Sequence, residues 1–118
     1  MIVAPVSNII FGSQLKELYK KGKIKVDVGL YGNKLTKRNV TDEHIICRCY
    51  GGGNDEGNIA LATSEANNKR GNKPIWEFLT YEMLRTYLKQ FKGVKVEGFD
   101  GDVYIKKIRN TLRGIFDE

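Results

Sequence analysis

The alternation of hydrophobic and polar residues predicts three strands before residue 64. Residues 23–31 (KIKVDVGLY) alternate with a period of two, which is the pattern of a half-buried strand. Residues 39–46 (NVTDEHII) are rich in β-branched side chains and predict a second strand, and residues 58–62 (NIALA) predict a short third one. The intervening residues 47–57 contain four glycines together with Asn and Asp, so they indicate a loop.

Two short helices are predicted from their capping residues. Ser13 is a candidate N-cap for the segment SQLKELYKK, which Gly22 would end. Thr63 is a candidate N-cap for TSEANNKR, which Gly71 would end. The second of these helices follows the third predicted strand directly.

Two longer helices are predicted in the C-terminal part. Pro74 suits the first turn of a helix over residues 74–92, in which Trp76 is expected to lie in the core. Residues 103–116 predict a last, basic helix that would either contact DNA or pack through its apolar face. The hydrophobic stripes are Ile75, Phe78, Leu79, Met83, Tyr87 and Phe91 in the first helix, and Tyr104, Ile108, Leu112 and Ile115 in the second.

Together these elements predict one α+β domain over residues 1–118, because a chain of this length buries a modest core of its own. Its centre is a strand–loop–strand–helix unit over about residues 29–78. A basic helix and strand precede it within residues 1–28, and helices follow it within residues 74–118.

Charge is unevenly distributed along the chain, whose formal net charge is +6. Residues 1–40 contain eight Lys or Arg against two Asp or Glu, residues 41–80 four against six, and residues 81–118 eight against six. An acidic centre between basic flanks suits a metal site between phosphate-binding surfaces. The same lysines would equally form a solvated face, so the charge favours a polyanionic partner without assigning one.

Cysteine usage and hydropathy bear on the cellular compartment. Cys47 and Cys49 are too close in sequence for an expected disulfide, which indicates a reduced, intracellular setting. The apolar start MIVAPVSNIIFG lacks a basic region and an extended hydrophobic region, so it does not predict a targeting segment. No stretch approaches the ~20 apolar residues of a membrane span. We therefore expect a cytoplasmic protein without a membrane partner.

The single histidine of the chain, His44, follows the carboxylates of Asp42 and Glu43. An imidazole suits the role of general base, because its unperturbed pKa of ~6.5 leaves it mostly neutral at pH 7. Mg²⁺ prefers oxygen ligands, and Glu43 and the amide oxygen of Asn67 are of that kind. Asn58 would hold the His44 ring in one tautomer through a carbonyl oxygen. These residues predict a metal-dependent site for phosphodiester hydrolysis.

The stretch VTDEHIICRCYGGGNDEGNIALATSEANNKRGN resembles the motif of the HNH nuclease family, the ββα-metal fold. Its three letters fall on His44, Asn58 and Asn67. The resemblance covers about residues 29–78, and NNKRGNKPIWEFL is similar to the end of the HNH domain in CRISPR effector nucleases and in small phage HNH proteins. It implies a two-stranded antiparallel hairpin plus a helix as the core, flanked by additional helices.

The resemblance also implies an activity, a cofactor and partners. The family hydrolyses DNA with one divalent ion, Mg²⁺ above all or Mn²⁺, which Glu43 and Asn67 would bind here. His44 would deprotonate the attacking water, and Asn58 would orient His44. Double-stranded DNA is the expected substrate, and a phage packaging or recombination complex is the kind of protein partner implied. The basic residues expected to meet nucleic acid are Lys37, Arg38, Arg48, Lys69, Arg70 and Lys73.

The chain departs from the family in three respects. Glu43 stands where many members carry Asp, and Cys47 stands where many carry Pro. Many members bind a structural zinc through two CxxC pairs, which two cysteines do not supply, so no structural zinc is expected. Because neighbouring strand residues face opposite sides, Glu43 and His44 share one metal only if the strand bends or bulges, and otherwise Asp42 takes the ligand role. A DNA-binding module that does not cut, and an RNA nuclease, stay open as alternatives.

Overall fold

The computed structural model describes the backbone of residues 12–116 and the side chains of residues 14–113. Most of the apolar start, residues 1–11, and residues 117–118 lie outside the described residues, so the expectation about a targeting segment is not addressed. No described helix is long and apolar enough to cross a membrane. The helices are α1 (Gly12–Lys20), α2 (Ser64–Arg70), α3 (Tyr81–Lys89) and α4 (Gly101–Phe116), and the strands are β1 (Val40–His44), β2 (Ile59–Thr63), β3 (Lys95–Val96) and β4 (Phe99–Asp100).

The predicted α+β class is confirmed, and its centre is the antiparallel pair β1–β2. The two strands pair without interruption from Val40 opposite Thr63 to His44 opposite Ile59. β1 therefore contains no extra residue, and the bulge that would turn Glu43 and His44 to one side is not formed. All five residues of β2 are buried, so this strand lies inside the fold while β1 lies nearer to the surface.

The outer edge of β2 is closed by two buried tyrosines. The Leu61 N–H donates to the Tyr87 hydroxyl at 2.9 Å, and the Tyr104 hydroxyl donates to the Ile59 carbonyl at 2.7 Å. The two hydroxyls lie 2.9 Å apart, and because Tyr104 uses its hydrogen on Ile59, Tyr87 is the donor between them. Burial raises the pKa of both tyrosines. These contacts fasten α3 and α4 to the hairpin.

Hydrophobic packing on α3 and α4 follows the predicted stripes. Tyr104, Ile108 and Leu112 on α4 are buried, and so is Tyr87 on α3. The Phe91 ring meets those of Tyr87 and Tyr104 edge to face, with centroids 5.1 Å and 4.9 Å away. α4 is thus a packing helix along its apolar face, whereas the side chain of Ile115 lies outside the described range.

The strand predicted over residues 23–31 is wrong, although its alternation correctly marks buried positions. Ile24 and Val26 are buried, but the backbone forms only an isolated bridge between Val28 and Lys34. A strand needs a partner for its backbone groups, and this segment finds none of ladder length among the described residues. It covers the core as an extended, irregular segment.

The single helix predicted over residues 74–92 is also wrong. A short 3₁₀ turn occupies Ile75–Glu77, and α3 begins only after Thr80. The Thr80 hydroxyl accepts the Met83 N–H at 3.1 Å and so caps a new helix. The break places Trp76 on the surface, where 61 % of it is exposed, which corrects its expected position in the core.

Candidate functional site

α2 lies against the outer edge of β1 and supplies two side chains to it. The Asn67 Nδ2 donates to the Asp42 carbonyl at 3.1 Å, and the Arg70 Nη1 donates to the His44 carbonyl at 2.6 Å. The donors are three residues apart on a helix and the acceptors two apart on a strand, so each pair shares one face of its element. Thr63 sets the start of α2 as predicted, since its hydroxyl accepts a first-turn N–H at 3.1 Å.

An open cleft of about 200 Å³ lies where α2 meets β1. It brings together residues that are distant in sequence, which is what the candidate site requires. The candidate residues that line it are Asp42, Glu43, His44, Arg48, Asn67 and Arg70. The others, namely Lys37, Arg38, Asn58, Lys69 and Lys73, do not line it.

Glu43 forms a buried ion pair with Arg70, and the two side chains are 3 % and 4 % exposed, respectively. The Arg70 Nη1 lies 3.1 Å from the Glu43 Oε2, which also accepts the Tyr31 hydroxyl at 2.5 Å. Burial and the Glu43 charge together raise the pKa of Tyr31. The same guanidinium donates to the carbonyl of Ile45 at 3.0 Å and to that of Lys73 at 2.8 Å. Arg70 thus uses its donors inside the fold, which argues against its expected contact with phosphate.

Asp42 carries a buried carboxylate oxygen, Oδ1, that has no hydrogen-bond partner, and no other described side chain has such an atom. Burial raises the pKa of this carboxyl, while the charges of Lys16 and His44 act in the opposite direction. A buried acceptor without a donor is uncommon in folded proteins and calls for a missing partner. A cation is one such partner, and the nearby Asn67 amide offers a second oxygen.

The described residues contain no group of three or more His, Cys, Asp and Glu side chains arranged to hold a metal. A cation in this cleft would therefore rely on few protein ligands, including an amide oxygen. Mg²⁺ commonly binds in this way, through one or two carboxylates, with water and phosphate oxygens around the rest of the ion. The Asp42 carboxylate and the Asn67 amide oxygen are ligands of the kind that such an ion takes.

His44 has its ring fixed by a residue that the sequence did not single out. Its Nε2 lies 2.8 Å from the Oδ1 of Asn54, and the Nη2 of Arg48 donates to the same oxygen at 3.2 Å. An amide oxygen only accepts hydrogen bonds, so Nε2 carries the hydrogen in the neutral ring. The lone pair is then on Nδ1, which becomes the basic atom. Asn54 was one polar residue among several in a glycine-rich loop, and no pattern distinguished it.

Asn58 does not have the role predicted for it. Its Oδ1 accepts the Ile46 N–H at 2.7 Å, while its Nδ2 donates to the carbonyls of Ile46 at 3.1 Å and Gly53 at 2.9 Å. The buried amide thus ties together the two ends of the loop between the strands. Because Gly53 directly precedes Asn54, Asn58 supports the His44 ring through the loop and not by contact.

The loop also depends on Gly52. A Cβ atom there would lie 1.8 Å from the Ile46 carbonyl oxygen and 2.9 Å from the Nδ2 of Asn58. Only a residue without a side chain lets the loop pass this close to the end of β1. Gly52 is therefore a packing requirement of the loop that carries Asn54.

Cys47 and Cys49 are joined by a disulfide, which corrects the expectation that their spacing excludes one. The chain enters a 3₁₀ turn, Arg48–Tyr50, immediately after Cys47, and this turn holds the two Cα atoms 5.2 Å apart. That separation lies within the usual range for a disulfide. Cys47 also lines the cleft, so the linked turn forms one of its walls.

No protein-family model, curated protein or solved structure matches this chain. The function of the cleft is therefore inferred from its geometry and from the resemblance of the sequence to the HNH motif.

We expect the Asn54→Ala variant to change the tautomer of His44. In the wild type, Nε2 should be protonated and Nδ1 unprotonated in the neutral ring, because Asn54 offers only an acceptor. Without that acceptor both neutral forms should be populated. The chain has a single histidine, so long-range ¹H–¹⁵N spectra at alkaline pH report this ring alone. An unchanged Nε2–H form in Asn54→Ala, with Asn68→Ala as the exposed control, would show that Asn54 does not set the tautomer.

Proposed function

We propose that this protein is a metal-dependent endonuclease that hydrolyses DNA phosphodiester bonds, with His44 as the general base. One observation carries the proposal. His44, whose Nε2 is held by Asn54, shares a cleft with Asp42 and Asn67, and the Oδ1 of Asp42 is buried without a hydrogen-bond partner. A base, an oxygen-rich cation site and a nearby arginine are the groups that phosphodiester hydrolysis requires.

The chain's own residues have separate tasks in this proposal. The Nδ1 of His44 accepts a proton from the water that attacks phosphorus, while Asn54 retains the hydrogen on Nε2. Arg48 is exposed beside the cleft, so its charge is available to a phosphate oxygen while it braces Asn54. The departing 3′ or 5′ oxygen takes a proton from solvent as its bond to phosphorus breaks.

A divalent ion would be held by Asp42 and Asn67 in this proposal. When bound, it would supply positive charge to the phosphate and to the departing oxygen. Glu43 lines the same cleft, but its Oε2 already accepts hydrogen bonds from both Arg70 and Tyr31. The unpartnered oxygen of Asp42 therefore favours Asp42 as the carboxylate ligand over Glu43.

The test of the activity is cleavage of supercoiled plasmid by the full chain in Mg²⁺ or Mn²⁺, with EDTA as the control. We expect nicked or linear plasmid with a divalent ion and none in EDTA. Single-stranded and folded RNA, incubated in parallel, should be cut more slowly than DNA. Plasmid binding without cleavage in any divalent ion would instead support the DNA-binding module, and preferred cleavage of RNA would replace the proposed substrate.

The choice of metal ligand is tested by comparing Asp42→Asn with Glu43→Gln in thermal unfolding. A ligand at 100 times its Kd stabilises the folded state by about 2.7 kcal/mol, so Mn²⁺ should raise the Tm of the wild type. We expect Asp42→Asn to lose this rise while folding at least as stably without metal, since a charge on a partly buried carboxyl is removed.

Glu43→Gln should behave in the opposite way. It should lower the Tm without metal, because Arg70 loses its charged partner, and it should retain the rise with Mn²⁺. If Glu43→Gln loses the Tm rise with Mn²⁺ and Asp42→Asn retains it, the metal ligand is Glu43.

A further inference from the structure

A second surface adjoins the cleft, and it is apolar. Five large hydrophobic side chains are exposed among the described residues, and three of them line one cavity of about 350 Å³. We call these three the aromatic patch: Ile46 is 39 % exposed, Tyr50 72 % and Trp76 61 %. Isolated exposed hydrophobic residues are ordinary, whereas a cluster of them with two aromatic rings marks a binding surface.

The two rings of the aromatic patch are held by short, well-anchored turns. Tyr50 ends the turn that follows Cys47, where Gly51 in the left-handed conformation returns its N–H to the Arg48 carbonyl. Trp76 lies in the turn after Pro74, next to the buried side chain of Ile75. Both rings are therefore displayed on the surface without being part of the core.

The aromatic patch is continuous with the cleft that contains His44. Cys47 and Arg70 line both, so the two surfaces share one wall. Arg48, which reaches Asn54 in the cleft, is in the same turn as Tyr50. Lys73 is exposed and directly precedes Pro74 in the wall of the patch. Two exposed cations, Arg48 and Lys73, thus adjoin an apolar, aromatic surface beside a proposed phosphate site.

We propose that the aromatic patch stacks against an unpaired base of the DNA strand whose phosphate occupies the His44 cleft. This inference rests on the proposed function and narrows its substrate. In a continuous duplex each base is covered on both faces by its neighbours, whereas a base in single-stranded or locally melted DNA presents a face for stacking. The protein therefore prefers single-stranded or unpaired DNA to intact duplex.

Trp76 is the only tryptophan of the chain, so its fluorescence reports on the aromatic patch directly. The first experiment titrates the full chain in EDTA with an oligothymidine, and separately with a blunt duplex, at one fixed salt concentration. Salt is fixed because phosphate contacts depend steeply on it. We expect the oligothymidine to quench Trp76 and bind more tightly than the duplex. Equal affinity with an unchanged Trp76 signal would overturn the inference.

The second experiment compares variants by anisotropy of labelled DNA, again in EDTA. Base–aromatic stacking corresponds to roughly 5- to 150-fold in affinity, and we expect Trp76→Ala and Tyr50→Ala each to lose that much for the oligothymidine but little for duplex. Trp76→Phe should retain most of the affinity. The matched control is Tyr81→Ala, because Tyr81 is 62 % exposed and lies outside the patch.

The outcomes separate this inference from the nuclease proposal. Selective binding of single strands without cleavage in Mg²⁺ would support the patch and refute the nuclease. If the protein cleaves plasmid but Trp76→Ala leaves its affinities for DNA unchanged, the nuclease proposal stands and the proposal that the patch stacks against a base is refuted. If Tyr81→Ala weakens binding as much as Trp76→Ala, stacking at the patch is not the cause of the preference.

Discussion

His44→Ala should lower the rate of plasmid cleavage by about 10²–10⁴-fold, the usual contribution of a positioned general base. The loss should be in the chemical step, because alanine removes the Nδ1 lone pair and leaves Asp42 and Asn67 in place. His44 is half-buried and its ring bonds to one loop residue, so we expect no large loss of stability. The measurement is single-turnover cleavage in Mg²⁺ at saturating enzyme.

Three controls make this result specific to a base. The Tm rise that Mn²⁺ produces should persist in His44→Ala, because the proposed ligands are intact. Added imidazole should restore part of the cleavage, since it supplies the missing acceptor in the space left by the side chain. Asn54→Ala should lower the cleavage rate by less than His44→Ala does. The double variant should cleave no more slowly than His44→Ala, because Asn54 acts through the His44 ring. Cleavage that continues at the wild-type rate in His44→Ala would refute the assigned base.

The sequence predicted the central hairpin and α2 well because their signals are local. The β-branched run around Val40–His44, the glycine-rich loop and the Thr63 cap each act within a few residues of the element they define. The family resemblance implied that His44, Asn67 and a carboxylate would lie near one another, with Glu43 as the expected carboxylate and Asp42 as the reserve. All four residues line one cleft. The wrong prediction of a single helix over residues 74–92 also has a local cause. The hydrophobic stripe favoured one continuous helix, whereas Thr80 is an N-cap residue type that begins a new one.

The roles of individual side chains were less predictable, because they depend on partners that are distant in sequence. Arg70 was expected on the DNA side, yet α2 turns it toward the edge of β1, where it meets Glu43. Asn58 and Asn54 are four residues apart in one polar loop, and only the folded loop distinguishes the one that ties its ends from the one that contacts His44. The strand alternation assigned Glu43 and His44 to opposite sides unless β1 bulged. The register of β1 and β2 contains no bulge, yet both residues line the cleft.

Arg70 has the largest expected effect on stability. Its guanidinium joins Glu43, Tyr31 and three backbone carbonyls, and its side chain is 4 % exposed. Removing one partner of a buried ion pair typically costs 3–5 kcal/mol, because the other charge stays buried without compensation. We expect Arg70→Met to lower the free energy of unfolding by about that amount, which for a domain of this size is roughly 10–20 °C in Tm.

The matched control is Lys69→Met, at the exposed neighbouring position, which should change the free energy of unfolding by less than about 0.5 kcal/mol. Adding Glu43→Gln to Arg70→Met should recover part of the loss, since the uncompensated carboxylate is then removed, and the double-mutant cycle measures this coupling. The original expectation of a phosphate contact makes the opposite forecast. It requires Arg70→Met to fold with wild-type stability and to bind DNA more weakly, with a shallower dependence of affinity on salt. Chemical unfolding and DNA titration of the same variant decide between a guanidinium that holds α2 to β1 and one that faces the substrate.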